Sequence, residues 1–206
     1  MRSDLLIIGA GGHAESCLDV IESTEMFTVV GLLGKRTEVG KIVLGVPVVG
    51  TDDDLSEWVA RVPSVLIAVG QLRSAAVRIR LFEAARCAGA RFPLIVSSKA
   101  YVSRHADVAP GTIIHHGAVV NAGAKVGANG IINTMALIEH NAVIGANCHI
   151  STGARVNGEA VVGQGTFIGS SAMVTNGITV GSECIIGAGS IVLKDVPPRT
   201  LVRAIV

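Results

Sequence analysis

Imidazole is the side chain best suited to moving protons near neutral pH, and this 206-residue chain carries six. His13 stands in the glycine-rich stretch LLIIGAGGHA; His105, His115, His116, His140 and His149 stand in the second half. His140 has the setting most open to chemistry, between the polar Glu139 and Asn141. It reads as a general base for a substrate amine or hydroxyl, with a solvated surface histidine as the competing reading. The other chemically suggestive feature is Gly9, Gly11 and Ala14, which satisfy G-x-G-x-x-A. Backbone N–H groups there can hold an anion such as a nucleotide phosphate, and a plain strand-to-helix turn is the alternative. A dinucleotide fingerprint also needs an acid about 20 residues on. The chain offers Leu32, Leu33, Gly34, Lys35 and Arg36 at that point, which argues against a nicotinamide dehydrogenase. Cys17, Cys87, Cys148 and Cys184 have no C-x-x-C spacing, so they read as reduced structural thiols, and no metal site is expected.

The elements that position these groups differ sharply between the two halves. From Ala100 to Leu193 a six-residue pattern repeats sixteen times without a slip, beginning AYVSRH ADVAPG TIIHHG AVVNAG. The third place is always Val or Ile, and the first is a small residue in every hexad but the one led by Ile178. A helix needs an apolar period near 3.6 and an ordinary strand a period of 2. A period of six therefore predicts a parallel β-helix with three hexads per coil, in which residues 18 apart stack. The Val/Ile column fills its interior. Fourth-place glycines such as Gly127, Gly145 and Gly163 are expected to supply corner backbone angles. In this register the position stacked on His140 is Gly158, so the imidazole would face open backbone.

Ahead of the coil, the pattern predicts strands at residues 4–8, 28–33, 46–49, 64–69 and 91–96. Helices are expected after the glycine turn, from Asp52 to Ala60 and from Arg73 to Ala88. Alternating strands and helices argue for a small parallel sheet with helices on its faces. The domain boundary is placed near Ser97 and Ser98, giving domains 1–97 and 98–206. A net charge of +1 and 3% aromatic residues leave no electrostatic or stacking footprint for nucleic acid or an anionic membrane. No apolar run is long enough to span a bilayer, and a cytoplasmic protein is expected.

Taken whole, the chain resembles the sialic acid O-acetyltransferase group of hexapeptide-repeat acyltransferases, which includes the bacillosamine and perosamine N-acetyltransferases. The resemblance rests on LLIIGAGGHAESCLDVIE, GVPVVGTDDDL, IAVGQLRSAAVRIRLFE and above all the run INTMALIEHNAVIGANCHISTGARVNGEAVVGQGTFIGSS with its continuation to Pro198. It implies a Rossmann-like N-terminal domain followed by a left-handed β-helix, a homotrimer with acetyl-CoA between subunits, and a sugar or sugar-nucleotide held partly by the N-terminal domain. Carried over residue by residue, the general base falls on His140 with Asn141 beside it. His149, Gly158, Ser170 and Ala188 fall at the acetyl-CoA site. The sugar-binding loop falls on Gly11, Gly12 and His13, with Gly34, Lys35, Gly70 and Gln71 at neighbouring strand ends.

The chain departs from the family in three places. Asn141 stands where many members carry an acid that orients the base, Gly34 and Lys35 replace an Asp pair, and the closing LVRAIV lacks the family's Gly-x-Pro-Ala-Lys-like tail. The mechanism expected is direct acetyl transfer without a metal: His140 deprotonates the acceptor, and coil N–H groups stabilise the oxyanion. His140 and His149 lie half a coil apart, so they meet over one ligand only if neighbouring subunits supply them. O-acetylation of a sialic-acid-like sugar is the nearest alternative, and a non-catalytic sugar-nucleotide-binding scaffold is the alternative from another class.

Overall fold

The computed structural model describes residues 2–203; the last three residues of the tail lie outside them. Strands β1 (Ser3–Ile8), β2 (Phe27–Gly34), β3 (Ile42–Val43), β4 (Val46–Thr51) and β5 (Val65–Ile67) form one sheet in the order β3-β4-β2-β1-β5. All neighbours are parallel except the β3–β4 hairpin. The central strand β1 is an unbroken apolar run because both its faces are covered. Leu5 and Ile7 pack with Cys17, Leu18 and Ile21 of α1 (Gly12–Thr24). Leu6 and Ile8 pack on the other face with Leu55 and Val59 of α2 (Leu55–Arg61) and Leu81 and Ala85 of α3 (Ala76–Cys87).

The stretch 91–96, expected as a last strand of this sheet, behaves differently. Only Ile95–Val96 (β6) is a strand, and it pairs with Ile113–Ile114 of the coil. Arg91 keeps a single bridge to Ser64. From Tyr101–Val102 to Ile191–Val192 each hexad then contributes one two-residue strand, and the strands stack into sheets of six, five and seven. Partners among the hexad strands are 18 residues apart, as in Leu137↔Arg155 and Ile144↔Val162; the seven-stranded sheet also takes in β6 and the closing strand Leu201–Val202, which pairs with Ile185–Ile186 at a spacing of 16. The third-place Val/Ile column and the small first-place residues make up the interior.

The glycine expectation needs correcting. The left-handed corner residue is the sixth of each hexad, with φ between 55° and 74° from Gly111 to Gly189, and Asn, Met, Glu and Ser hold it as well as Gly. The fourth-place glycines answer a steric demand instead. A Cβ on Gly127, Gly145 or Gly163 would lie 2.4–2.6 Å from a backbone nitrogen of the next coil.

The N-terminal domain sits on the outer face of the seven-stranded sheet, where Ile95, Ile113 and Ile131 join the cluster of Leu18 and Ile21. No helix among the described residues is long and apolar enough to cross a membrane.

Candidate active site

At the C-terminal edge of the parallel sheet, a cleft of about 1320 Å³ is lined by Gly11, Gly12, His13, Gly34, Lys35 and Gly70 among others, all of them from the N-terminal domain. Gly9 shapes the turn: its φ is +122°, and a Cβ there would lie 2.8 Å from the carbonyl oxygen of Ala68. Gly11 and Gly12 are different, because a Cβ on either would meet nothing within 4 Å. Packing of this chain does not demand glycine at those two positions; the space in front of the α1 N-terminus is open for an anionic ligand. The end of β2 is not free of acid as expected. Glu38, from the following turn, accepts a hydrogen bond from the Lys35 N–H (2.8 Å) and lines the cleft, as do Asp52, Asp53 and Asp54.

Gln71 does not belong to this cleft. Beyond Gly70 the chain turns onto the coil, where the Gln71 amide donates to the Gly165 carbonyl (3.0 Å). Its own carbonyl accepts from His149 Nδ1 (2.8 Å). That bond places the His149 proton on Nδ1, and Nε2 accepts from Asn133 Nδ2 at 3.2 Å. His149 is 5% exposed, and burial pulls its pKa down to about 4, against the Gln71 hydrogen bond and with the help of the Arg78 charge. Neutral and held at both nitrogens, it is a fixed polar group, not a proton carrier at pH 7. Asn133 stands sixteen residues before His149, across one coil, and that spacing is its only signal in the sequence.

His140 occupies a different part of the prism. It follows the strand Leu137–Ile138 of the six-stranded sheet and precedes Val143–Ile144 of the five-stranded one. It therefore stands at the vertex opposite the face that carries His149. The imidazole is exposed and lies over Gly158, whose added Cβ would come within 2.6 Å of Cε1 and Nε2. Asn141, at φ 58°, sets its amide nitrogen 3.4 Å from His140 Nδ1. Behind them, Glu139 accepts from Asn121 Nδ2 (3.0 Å) and from the His140 N–H (3.2 Å).

Ser170 and Ala188 stack at a third position, the vertex between the seven- and six-stranded sheets. Like Gly158, each holds the fifth place of its hexad. No hydrogen bond among the described residues uses the N–H of any of the three; Ser170 and Ala188 are exposed, and Gly158 is buried beneath the His140 ring. One chain thus presents three separate groups: the cleft, the His140–Asn141–Gly158 vertex and the Ser170–Ala188 vertex.

Four of the six histidines gather at the domain junction, which the sequence did not reveal. His13 lies 5.6 Å from His115 and 6.2 Å from His149 between ring centroids. His116 bridges Asp19 Oδ2 (2.8 Å) and Ser97 Oγ (2.6 Å). Arg78, 1% exposed, donates to the carbonyls of Ile67, Val69 and Asn129 and to Asn129 Oδ1, joining α3 to the coil.

A nucleotide-binding type of α/β domain docked on a hexapeptide coil, with an exposed imidazole at one vertex, defines a hexapeptide acyltransferase. Residues 4–85 match the PglD N-terminal domain, residues 136–166 the hexapeptide repeat of succinyl-transferase and residues 159–194 the bacterial transferase hexapeptide (six repeats). The acetyltransferase domain of PglB from Neisseria gonorrhoeae, solved with acetyl coenzyme A, is 30% identical, with 99% of this chain and 97% of that chain covered at a TM-score of 0.92. PerB from Caulobacter crescentus, solved with CoA and GDP-perosamine, is also 30% identical, with 99% and 95% covered and a TM-score of 0.92. WeeI from Acinetobacter baumannii, 20% identical with 97% and 96% covered at a TM-score of 0.81, shares the fold. No curated protein sequence matches. The chain belongs to the family of PglD-like hexapeptide-repeat sugar acyltransferases, and its coil is the left-handed β-helix of that family.

Proposed function

We propose that this protein transfers the acetyl group of acetyl-CoA to an amino group of a nucleotide-linked sugar. The observation that carries this reading is the His140 imidazole, exposed at a vertex and seated so closely on Gly158 that a Cβ there would meet the ring at 2.6 Å. Two relatives of 30% identity, one solved with acetyl coenzyme A and the other with CoA and a nucleotide-linked amino sugar, support it.

In this mechanism the open N–H groups at Gly11 and Gly12 hold the nucleotide phosphates, with His13, Lys35 and Gly70 around them. The acceptor amine attacks the thioester carbonyl while His140 takes its proton. The thioester is already activated, so no metal is needed for the transfer. A base at Nε2 needs its proton on Nδ1, which Asn141 favours when its amide turns Oδ1 toward that nitrogen. The N–H groups of Gly158, Ser170 and Ala188, which no other described group uses, are donors for the cofactor arm and the developing oxyanion. The cleft and His140 lie on different sides of one chain, so a complete site takes them from neighbouring subunits of a homotrimer. The reaction is placed in the cytoplasm, where acetyl-CoA is available.

Thioester cleavage measured with a panel of nucleotide-linked amino sugars and hydroxy sugars tests the proposal. Acetyl transfer to an amino sugar, with the free thiol of CoA released in equal amount, is the expected result. Transfer to hydroxyl acceptors alone would favour the O-acetylating reading, and cleavage with none of the panel would favour a binding scaffold.

A further inference from the structure

At the junction of the two domains lies a cluster in which only His13 borders the cleft, while Cys17 and His115 take no part in the transfer reaction. Helix α1 places His13 and Cys17 four residues apart on one face, and the turn after Ile113–Ile114 brings His115 against them. One ligand-capable atom from each of the three lies within 4.8 Å of the others. Cys17 Sγ and His13 Nε2 are 3.6 Å apart; in a tetrahedral zinc site with Zn–S about 2.3 Å and Zn–N about 2.0 Å, that separation is about 3.5 Å. Cys17 and His115 are fully buried. Ser16 Oγ engages His115 Nδ1 at 3.3 Å, which leaves His115 Nε2 buried with no partner. A buried ring nitrogen without a partner is costly unless something binds it.

We propose that His13, Cys17 and His115 hold one zinc ion that pins the N-terminus of α1 to the coil. The two nitrogens and one sulfur suit zinc, and a site without carboxylates does not suit magnesium or calcium. Ser16 acts as the outer-shell partner that sets the His115 tautomer. Binding releases one proton: Cys17–SH and Zn²⁺ give the zinc thiolate and H⁺. Burial holds the thiol up at about 12 and the imidazoles of His13 and His115 down at about 2 and about 4, so the histidines are already in the neutral form that ligates. The Arg78 cation opposes a second cation but favours the thiolate, and with that thiolate the ion adds one net positive charge rather than two. His13 borders the cleft, which provides an entry path. The ion's role is to hold α1 on the coil, and His13 alone is shared with the cleft.

The test uses the full chain carrying Cys87→Ser, which removes the exposed thiol. Protein stripped with a chelator, reloaded with zinc chloride and dialysed should retain one zinc per chain by mass spectrometry, and its melting temperature should rise on loading. Cobalt(II) in place of zinc should show a sulfur-to-metal charge-transfer band and the intense visible bands of four-coordinate cobalt. Cys17→Val should retain only background metal and melt at the same temperature with or without zinc. Failure of the parent to retain zinc, a cobalt spectrum without the sulfur band, or full zinc retention by Cys17→Val would each overturn the proposal. The cobalt spectrum of the parent decides the matter even if the valine variant does not fold.

Discussion

His140 rests on Gly158, its stacked partner 18 residues on, and a methyl group at Gly158 would sit 2.6 Å from Cε1 and Nε2 of the ring. The glycine therefore sets where the imidazole lies. His140→Ala should lower turnover by roughly 10² to 10⁴ while acetyl-CoA still binds. Gly158→Ala should leave the coil folded, since the ring is exposed and can swing away, but lower turnover by moving the base. Steady-state kinetics checks both, with calorimetry for cofactor binding. Near-parental turnover in His140→Ala would move the base elsewhere.

Asn141→Asp puts a carboxylate beside the imidazole. A neighbouring negative charge favours the protonated ring, so the rising limb of the pH–rate profile should move to higher pH than in the parent on the same acceptor. An unmoved limb would show that His140 is not the group that titrates in catalysis.

The hexad period was enough to predict the coil, its 18-residue stacking and the Val/Ile interior, because a repeat reports its own geometry. Which face the N-terminal domain covers was not singled out: the second-place residues of the seven-stranded sheet include Ile113, Ile131, His149, Phe167 and Ile185, but those of the six-stranded sheet, Tyr101, Val119, Leu137, Arg155, Met173 and Ile191, are nearly as apolar. The docking itself was not legible. Arg78 looks like a helix-surface charge, yet its partners are backbone carbonyls and Asn129, 51 residues away. The resemblance puts both Gly70 and Gln71 at the sugar site; Gly70 lines the cleft, but one residue later the chain turns onto the coil and Gln71 bonds there instead. His13, Cys17 and His115 are brought together only by that docking.

The two glycine classes of the coil should respond oppositely to substitution. Gly145→Ala forces a Cβ to within 2.6 Å of the Gln164 backbone nitrogen and should markedly lower the melting temperature or prevent folding. Gly177, at φ 68° with nothing within 4 Å of its Cβ position, should accept Asn almost without loss, since Asn129, Asn141 and Asn147 already hold the equivalent place. Thermal melts of the two variants against the parent check this. Equal tolerance would contradict the packing assigned to the fourth place.

Acid should destabilise the fold through His149. Its pKa is near 6.5 in the unfolded chain and about 4 when buried, so between these values the unfolded state binds the proton and the folded state does not. Stability from this group is complete above about pH 6.5 and declines as pH falls toward 4, by ~3 kcal/mol in all. Urea unfolding at pH 7 and pH 4.5 should show a smaller drop for His149→Gln than for the parent. Identical drops would mean that His149 is not held neutral in the fold.

The separation of cleft and base within one chain makes the last prediction. No coil residue lines the cleft, and His140 stands at the vertex away from the face on which the N-terminal domain docks. A site that needs both must draw them from two chains, as a cyclic trimer allows. Gly11→Leu is a suitable block for the cleft, because the position has an ordinary backbone conformation and an empty space before it, so the leucine projects where the phosphates would bind. Gly11→Leu and His140→Ala should each be nearly inactive alone. Co-expressed in equal amounts, they assemble at random, and a site is intact when its cleft comes from a His140→Ala chain and its base from a Gly11→Leu chain. That happens for about a quarter of the sites in a random trimer, so the mixture should recover about a quarter of parental activity while sedimenting as a trimer. A mixture no more active than its two parts would place cleft and base in the same chain, and a monomer that is active at high dilution would remove the shared site altogether.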